Sequence, residues 1–256
     1  MSPTALAVER DGAVLKVKLN RPERRNALDA RLIGELTDAF AEVGDARAVV
    51  LSGEGPSFCS GADVDWMRAS IDLSYDENVS DALCLRAMLE AIDRCPAPVV
   101  ARVHGHALGG GCGLAACGDV VVTADDAVFA FSEVKLGIVP AVISPFALTR
   151  IGAGAARRYF LTGERFDAST ALRIGLAHEI VPKDGLDAAV GRIVEELLSS
   201  GPEATRAAKR LVLDAPLPPD ETARRIAARR TSAEGQEGLR AFLERREPSW
   251  RSSPNA

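Results

Sequence analysis

Three consecutive glycines, Gly109-Gly110-Gly111, stand between an apolar run, Val99–Val103, and a stretch of small residues reaching Cys117. Each glycine costs a helix about 1 kcal/mol relative to alanine. A chain that keeps three together needs unusual backbone angles, or needs something to lie close against the backbone. The order strand, glycine turn, helix (Gly110–Cys117) also puts unpaired N–H groups and a positive dipole end at the mouth of a strand. That suits an oxyanion or a phosphate. Three readings compete: tight helix–strand packing, a dinucleotide fingerprint, and an oxyanion hole. Gly111-x-Gly113-x-x-Ala116 does match G-x-G-x-x-A. However, it lies more than a hundred residues into the chain, and no strand-end acid follows at the required distance.

The flanking pattern sets the fold class. Leu6–Glu9 and Val14–Leu19 read as strands joined by an Asp11-Gly12 hairpin turn. A helix is expected from Asp29, a candidate N-cap, to Val43. Ala48–Leu51 and Val99–Val103 read as buried strands on either side of a helix over Glu77–Arg94, and Asp119–Thr123 and Val128–Phe131 as two more. From Ser144 the pattern is helical: Ser144–Ile151, Gly154–Leu161, Ala168–Ile174, Gly185–Leu198, Glu203–Leu213 and Asp220–Arg246. Strands alternating with helices through residue 143, then helices alone, predict an α/β core with a helical C-terminal extension.

Composition narrows the function classes. The 31 basic and 36 acidic residues leave a net charge of -5, which argues against a nucleic-acid partner. Five cysteines without CxxC spacing and only three histidines make a metal site unexpected; reduced buried thiols are the expectation. The N-terminus lacks the basic and apolar regions of a signal peptide, and the most apolar stretch, 98–124, is broken by Arg102, His104 and His106. A soluble, cytoplasmic protein with no membrane contact is expected.

Two further segments carry chemistry. Ser57–Val64 follows a buried strand and can present the Ala62 N–H to the space beside the glycine turn if the two strands are neighbours. Two convergent donors complete an oxyanion hole. Cys59 and Ser60 raise a nucleophile reading, but no G-x-S-x-G elbow accompanies them. Glu133 follows an apolar strand and precedes an apolar turn, where a raised pKa would suit proton transfer. The alternative is a surface glutamate paired with Lys135 or Arg150.

Together, these segments, with Asn20–Leu28 near the start and Glu237–Arg246 near the end, resemble the enoyl-CoA hydratase/isomerase (crotonase) family. The resemblance implies a spiral of ββα units over residues 1–195 and a helical region, 196–256, that helps assemble trimers or hexamers. It implies that Ala62 and Gly110 donate the oxyanion-hole N–H groups. Ala27, Asp63, Val64, Leu108 and Gly109 would line the coenzyme A channel, with Arg24 or Arg25 near the nucleotide phosphates. Phe242 and Arg245 match positions that reach a neighbouring subunit's ligand. Coenzyme A would be part of the substrate, and no separate cofactor is implied. Family hydratases use two glutamates. Glu133 matches the one that delivers a proton to Cα, while the water-binding position, twenty residues earlier, is Gly113 here. Segments 132–145 and 157–162 look like the methylglutaconyl-type hydratase branch, which also lacks that glutamate. Hydration of an enoyl-CoA, of a branched or carboxylated chain, is therefore expected. A Δ3,Δ2-enoyl-CoA isomerase is the second reading, and an acyl-CoA-binding protein without turnover the third.

Overall fold

The computed structural model describes residues 4–251. Strands β1 (Leu6–Asp11) and β2 (Val14–Leu19) form the expected hairpin, with Asp11 opposite Val14 and Gly12 at φ 55°. Helix α1 (Ala30–Ala41) begins where Asp29 accepts a hydrogen bond from the Leu32 N–H, so the N-cap lies at the expected residue. It buries Leu32, Ile33, Leu36 and Phe40 along one stripe. Strand β3 (Ala48–Gly53) leads through a loop to α2 (Val64–Ser70) and α3 (Tyr75–Asp93). Helix α3 opens on a capping box between Ser74 and Glu77. Strand β4 (Val99–Val103), strand β5 (His106–Leu108) and helix α4 (Gly110–Cys117) follow. Next come β6 (Val120–Ala124), β7 (Val128–Ala130) and α5 (Ser144–Thr162).

One sheet runs β1-β2-β3-β4-β6-β9, antiparallel only between β1 and β2; the other runs β5-β7-β8. Each turn of the chain gives a strand or bridge to both sheets before a helix closes it. Thus β4 is followed by β5 and α4, and β6 by β7 and α5; β3 is followed by the Cys59–Ala107 bridge and then α2 and α3. This is the ββα spiral. The main core fills the space between the sheets and helices α1, α3, α4 and α5. Phe58, Phe129 and Phe131 are fully buried there.

Four expectations need correction. The segment 64–70, part of a polar region where the sequence pattern gives no helix, is helix α2, capped by Asp63, whose side chain accepts from the Asp65 N–H. The stretch read as a glycine turn contains strand β5, which pairs in parallel with β7. Helices do not continue alone after residue 143: β8 (Phe166–Asp167) pairs with β7, and, after α6 (Ala168–Arg173), β9 (Glu179–Val181) pairs with β6. Strands of two or three residues are too short to show a period, so hydrogen bonding to neighbours defines them. Beyond α7 (Leu186–Ser199) and α8 (Pro202–Leu213), the expected single helix 220–246 is two. These are α9 (Pro219–Thr231) and α10 (Ala233–Glu244), separated where Ser232 turns extended and caps α10 through the Gly235 N–H. The expected break inside α5 is present as a kink at Gly152, φ 67°.

Candidate active site

The parallel pairing of β3 with β4 brings the loop after β3 against the glycine turn after β5. A Cβ on Gly61 would come within 2.9 Å of the Leu108 carbonyl oxygen, so the two backbones touch and no side chain fits between them. Gly61, at φ 94°, also has angles that favour glycine. The Gly61 carbonyl accepts from the Leu28 N–H at 2.7 Å, and the Asp63 N–H donates to the Leu28 carbonyl at 2.8 Å. In a trans peptide the N–H points opposite to the carbonyl before it. The Ala62 N–H is therefore turned away from the Leu28 backbone. The Gly110 N–H belongs to the first residue of α4 and has no acceptor within that helix. Ala62 and Gly110 both line one cavity of about 370 Å³ with Leu28, Ser60 and Gly109.

Glu133 closes the same cavity. A Cβ on Gly109 would stand 3.3 Å from Glu133 Oε1, so the carboxylate lies against the glycine turn, and Gly109 at φ 50° gives it room. Its Oε2 is buried without a hydrogen-bond partner. Burial pushes the Glu133 pKa above the ordinary carboxylate range. The expected alternative, a pair with Arg150, does not form: that guanidinium bonds to the Ala116 and Gly118 carbonyls.

The remaining glycines explain the run without a ligand. A Cβ on Gly111 would meet the Cys59 carbonyl oxygen at 2.3 Å, and one on Gly113 would meet Ile143 Cγ2 at 2.6 Å. Both face protein, so the dinucleotide pattern is a consequence of packing. Ile143 thus occupies the space a longer side chain at position 113 would need. The Cys59 thiol, fully buried, is pushed up to about 12, which removes it as a nucleophile.

Of the residues expected along the channel, Gly109 lines this cavity, whereas Ala27, Asp63, Val64, Leu108, Arg24 and Arg25 do not. Ala27 is buried, Leu108 half-buried, and Val64 is 59% exposed. Arg24 and Arg25 are exposed, with Arg24 3.1 Å from Asp65. The Asp63 side chain turns inward instead. It is held by the Arg21 guanidinium at 2.9 Å, and Arg21 also reaches Asp29 at 2.9 Å and the Ala27 carbonyl. Burial would raise the Asp63 pKa, but the Asp65 N–H and Arg21 outweigh it and hold it low. Phe242 and Arg245 stand at the exposed end of α10, away from this cavity. Sequence reasoning missed Arg21, Trp66, Asp81 and Ile143. Of these Arg21 and Ile143 carried a signal, because they sit inside the Asn20–Leu28 motif and the 132–145 segment.

An enoyl-CoA hydratase/isomerase family model matches residues 9–253. The chain belongs to that family. An enoyl-CoA hydratase of Shewanella pealeana is 38% identical, with a TM-score of 0.91 over 96% of each chain. Pseudomonas aeruginosa AtuE is 38% identical, with a TM-score of 0.93 over 96% of this chain and 99% of that one. A Mycobacterium tuberculosis protein named as a probable enoyl-CoA hydratase, echA8, is 34% identical over 98% of this chain and 99% of its own length. The fold is accordingly the crotonase spiral. Among the described residues, no helix is long and apolar enough to cross a membrane.

Proposed function

We propose that this chain hydrates the 2,3 double bond of an enoyl-CoA thioester, with the Ala62 and Gly110 N–H groups holding the thioester oxygen and Glu133 moving the proton. The observation that carries the reading is Glu133 Oε2, buried and unpartnered in the same cavity as the two free donors. An acyl-CoA-binding protein without turnover has no use for such a group, whose desolvation is a standing cost. The two donors stabilise charge where it develops, on the carbonyl oxygen of the enolate. Water adds its oxygen to C3 and loses a proton to the Glu133 carboxylate. The enolate then collapses, taking that proton at C2, and the carboxylate is restored. The step balances with water and thioester alone, so no cofactor is invoked. Leu28, Trp66 and Val142 among the lining suit a hydrocarbon chain, straight or branched. The methylglutaconyl-type resemblance raises a terminal carboxylate as a candidate, which the acidic pair in the cavity wall, Asp81 and Glu133, disfavours.

A Δ3,Δ2-isomerase is favoured by one observation: Ile143 fills the place of a second carboxylate. Isomerisation needs only one base. Adding crotonyl-CoA and following the enoyl-thioester ultraviolet band separates the two. Loss of the band supports hydration, whereas an unchanged band, with a gain on a 3-enoyl-CoA, supports the isomerase.

The exposed Arg24 and Arg25 suit the nucleotide phosphates, and the exposed Phe242 and Arg245 suit a neighbouring subunit's ligand in a trimer or hexamer. The free cysteines, four of them buried, support a reducing, cytoplasmic setting.

A further inference from the structure

We propose that Asp81 sets the acyl specificity of this site, turning away thioesters whose chain ends in a carboxylate while leaving hydrocarbon chains unaffected. The inference rests on the acyl-CoA reading of the cavity. Among the described side chains that line it, the ionisable ones are Asp81 and Glu133, both acids. Asp81, on α3, accepts the Trp66 indole N–H on Oδ1 at 3.2 Å, and its Oδ2 has no partner among the described residues. The pair therefore acts against a carboxylate twice. It places a negative charge in the wall, and it consumes the indole donor that an incoming carboxylate would need.

The other polar groups on this wall are already satisfied. Asn78 Nδ2 is 3.1 Å from both the Leu73 and Ser74 carbonyls, and the Ser70 hydroxyl donates to the Met67 carbonyl at 2.8 Å. Ser60 and Ser132 sit at the thioester end, beside Ala62 and Glu133. Cations close in sequence are directed elsewhere. Arg86 stacks over the Phe146 ring at 5.0 Å and does not line the cavity, and Arg24 and Arg68 both pair with Asp65. A hydrocarbon tail meets Trp66, Met67 and Leu85 and makes no demand on the aspartate. Discrimination by an unfavourable charge of this kind leaves the accepted ligand's affinity nearly unchanged.

The test is calorimetric titration with valeryl-CoA and glutaryl-CoA, saturated thioesters of equal chain length that differ by a terminal carboxylate. The wild-type chain is expected to bind glutaryl-CoA about 30-fold more weakly than valeryl-CoA. Asp81→Asn keeps the shape but removes the charge, and should tighten glutaryl-CoA about tenfold while moving valeryl-CoA less than about twofold. Asp81→Glu keeps the charge and should retain the rejection. Equal binding of the two thioesters by the wild type overturns the proposal, as does an unchanged ratio in a folded Asn variant. Neither ligand has a double bond to hydrate, so a failed hydration assay leaves this ratio readable. If neither ligand binds, the acyl-CoA reading falls, and the proposal with it.

Discussion

Glu133 and Gly113 show how one residue can be legible in a sequence while its neighbour is not. Glu133 stood out because an acid followed an apolar strand, and burial does raise its pKa. Replacing it with Gln should lower kcat by about 10³-fold and leave acyl-CoA binding within a fewfold, as measured by turnover and calorimetry. The same variant makes a stability prediction. A carboxyl with a raised folded pKa binds its proton more tightly in the folded state, so its ionisation destabilises the fold as pH rises above the ordinary value of 4.5. Glu133→Gln should therefore melt higher than wild type at pH 8, with the gap closing as pH falls to that value. Equal melting at both pH values would refute the assigned burial. Gly113 announced an absence, but the reason lay about thirty residues further along the chain: Ile143 Cγ2 would sit 2.6 Å from a Cβ there. Gly113→Glu alone should cost about 1–3 kcal/mol through overpacking and add no hydratase activity. Adding Ile143→Ala opens the space and should restore much of the melting temperature.

At the scale of elements, the proposed donor at Ala62 lies beside a clamp that joins the caps of α1 and α2. Arg21, just before the turn that leads to α1, holds Asp29 at the cap of α1 and Asp63 at the cap of α2. The Leu28–Ala62 bridge lies between these contacts. Both partners are largely shielded, Asp63 at 5% and Arg21 at 15% side-chain exposure, so the pair is screened far less than a surface pair. Arg21→Met should leave Asp63 buried without its cation and let the 61–63 loop shift. The expected result is a 10–100-fold fall in kcat with KM changed less than about threefold, because the oxyanion donor matters most in the transition state. A rise in KM alone would mean that Arg21 serves ligand binding instead. The helix caps were readable at Asp29 because an N-cap is a local rule. The clamp was not, since nothing in the sequence indicates that residues 21 and 63 meet. Helix α2 was missed for a related reason: its seven residues bury no side chain fully, so they show no apolar stripe.

At the scale of the whole molecule, the spiral followed from the family resemblance that the motifs carry, whereas the strands β8 and β9 that complete its two sheets did not. They exist because β7 and β6 present unpaired edges, and a partner of two or three residues suffices to cover each. The C-terminal helices raise the complementary question of what is left uncovered. On α10, Leu239, Phe242 and Leu243 recur at helical spacing and are 50%, 81% and 78% exposed. A stripe of that kind on a lone chain is a liability, and it becomes an asset once a second copy covers it. Light scattering should therefore give the mass of a trimer or hexamer of 27.1 kDa chains. Phe242→Asp should shift the mass toward the single chain, since a charge buried in an apolar contact is costly. If Phe242 also completes a neighbour's ligand site, activity per chain should fall with assembly, even though Glu133, Ala62 and Gly110 are intact in every copy. A variant that dissociates yet keeps full activity would confine Phe242 to assembly, and a wild-type chain that is monomeric would remove both roles.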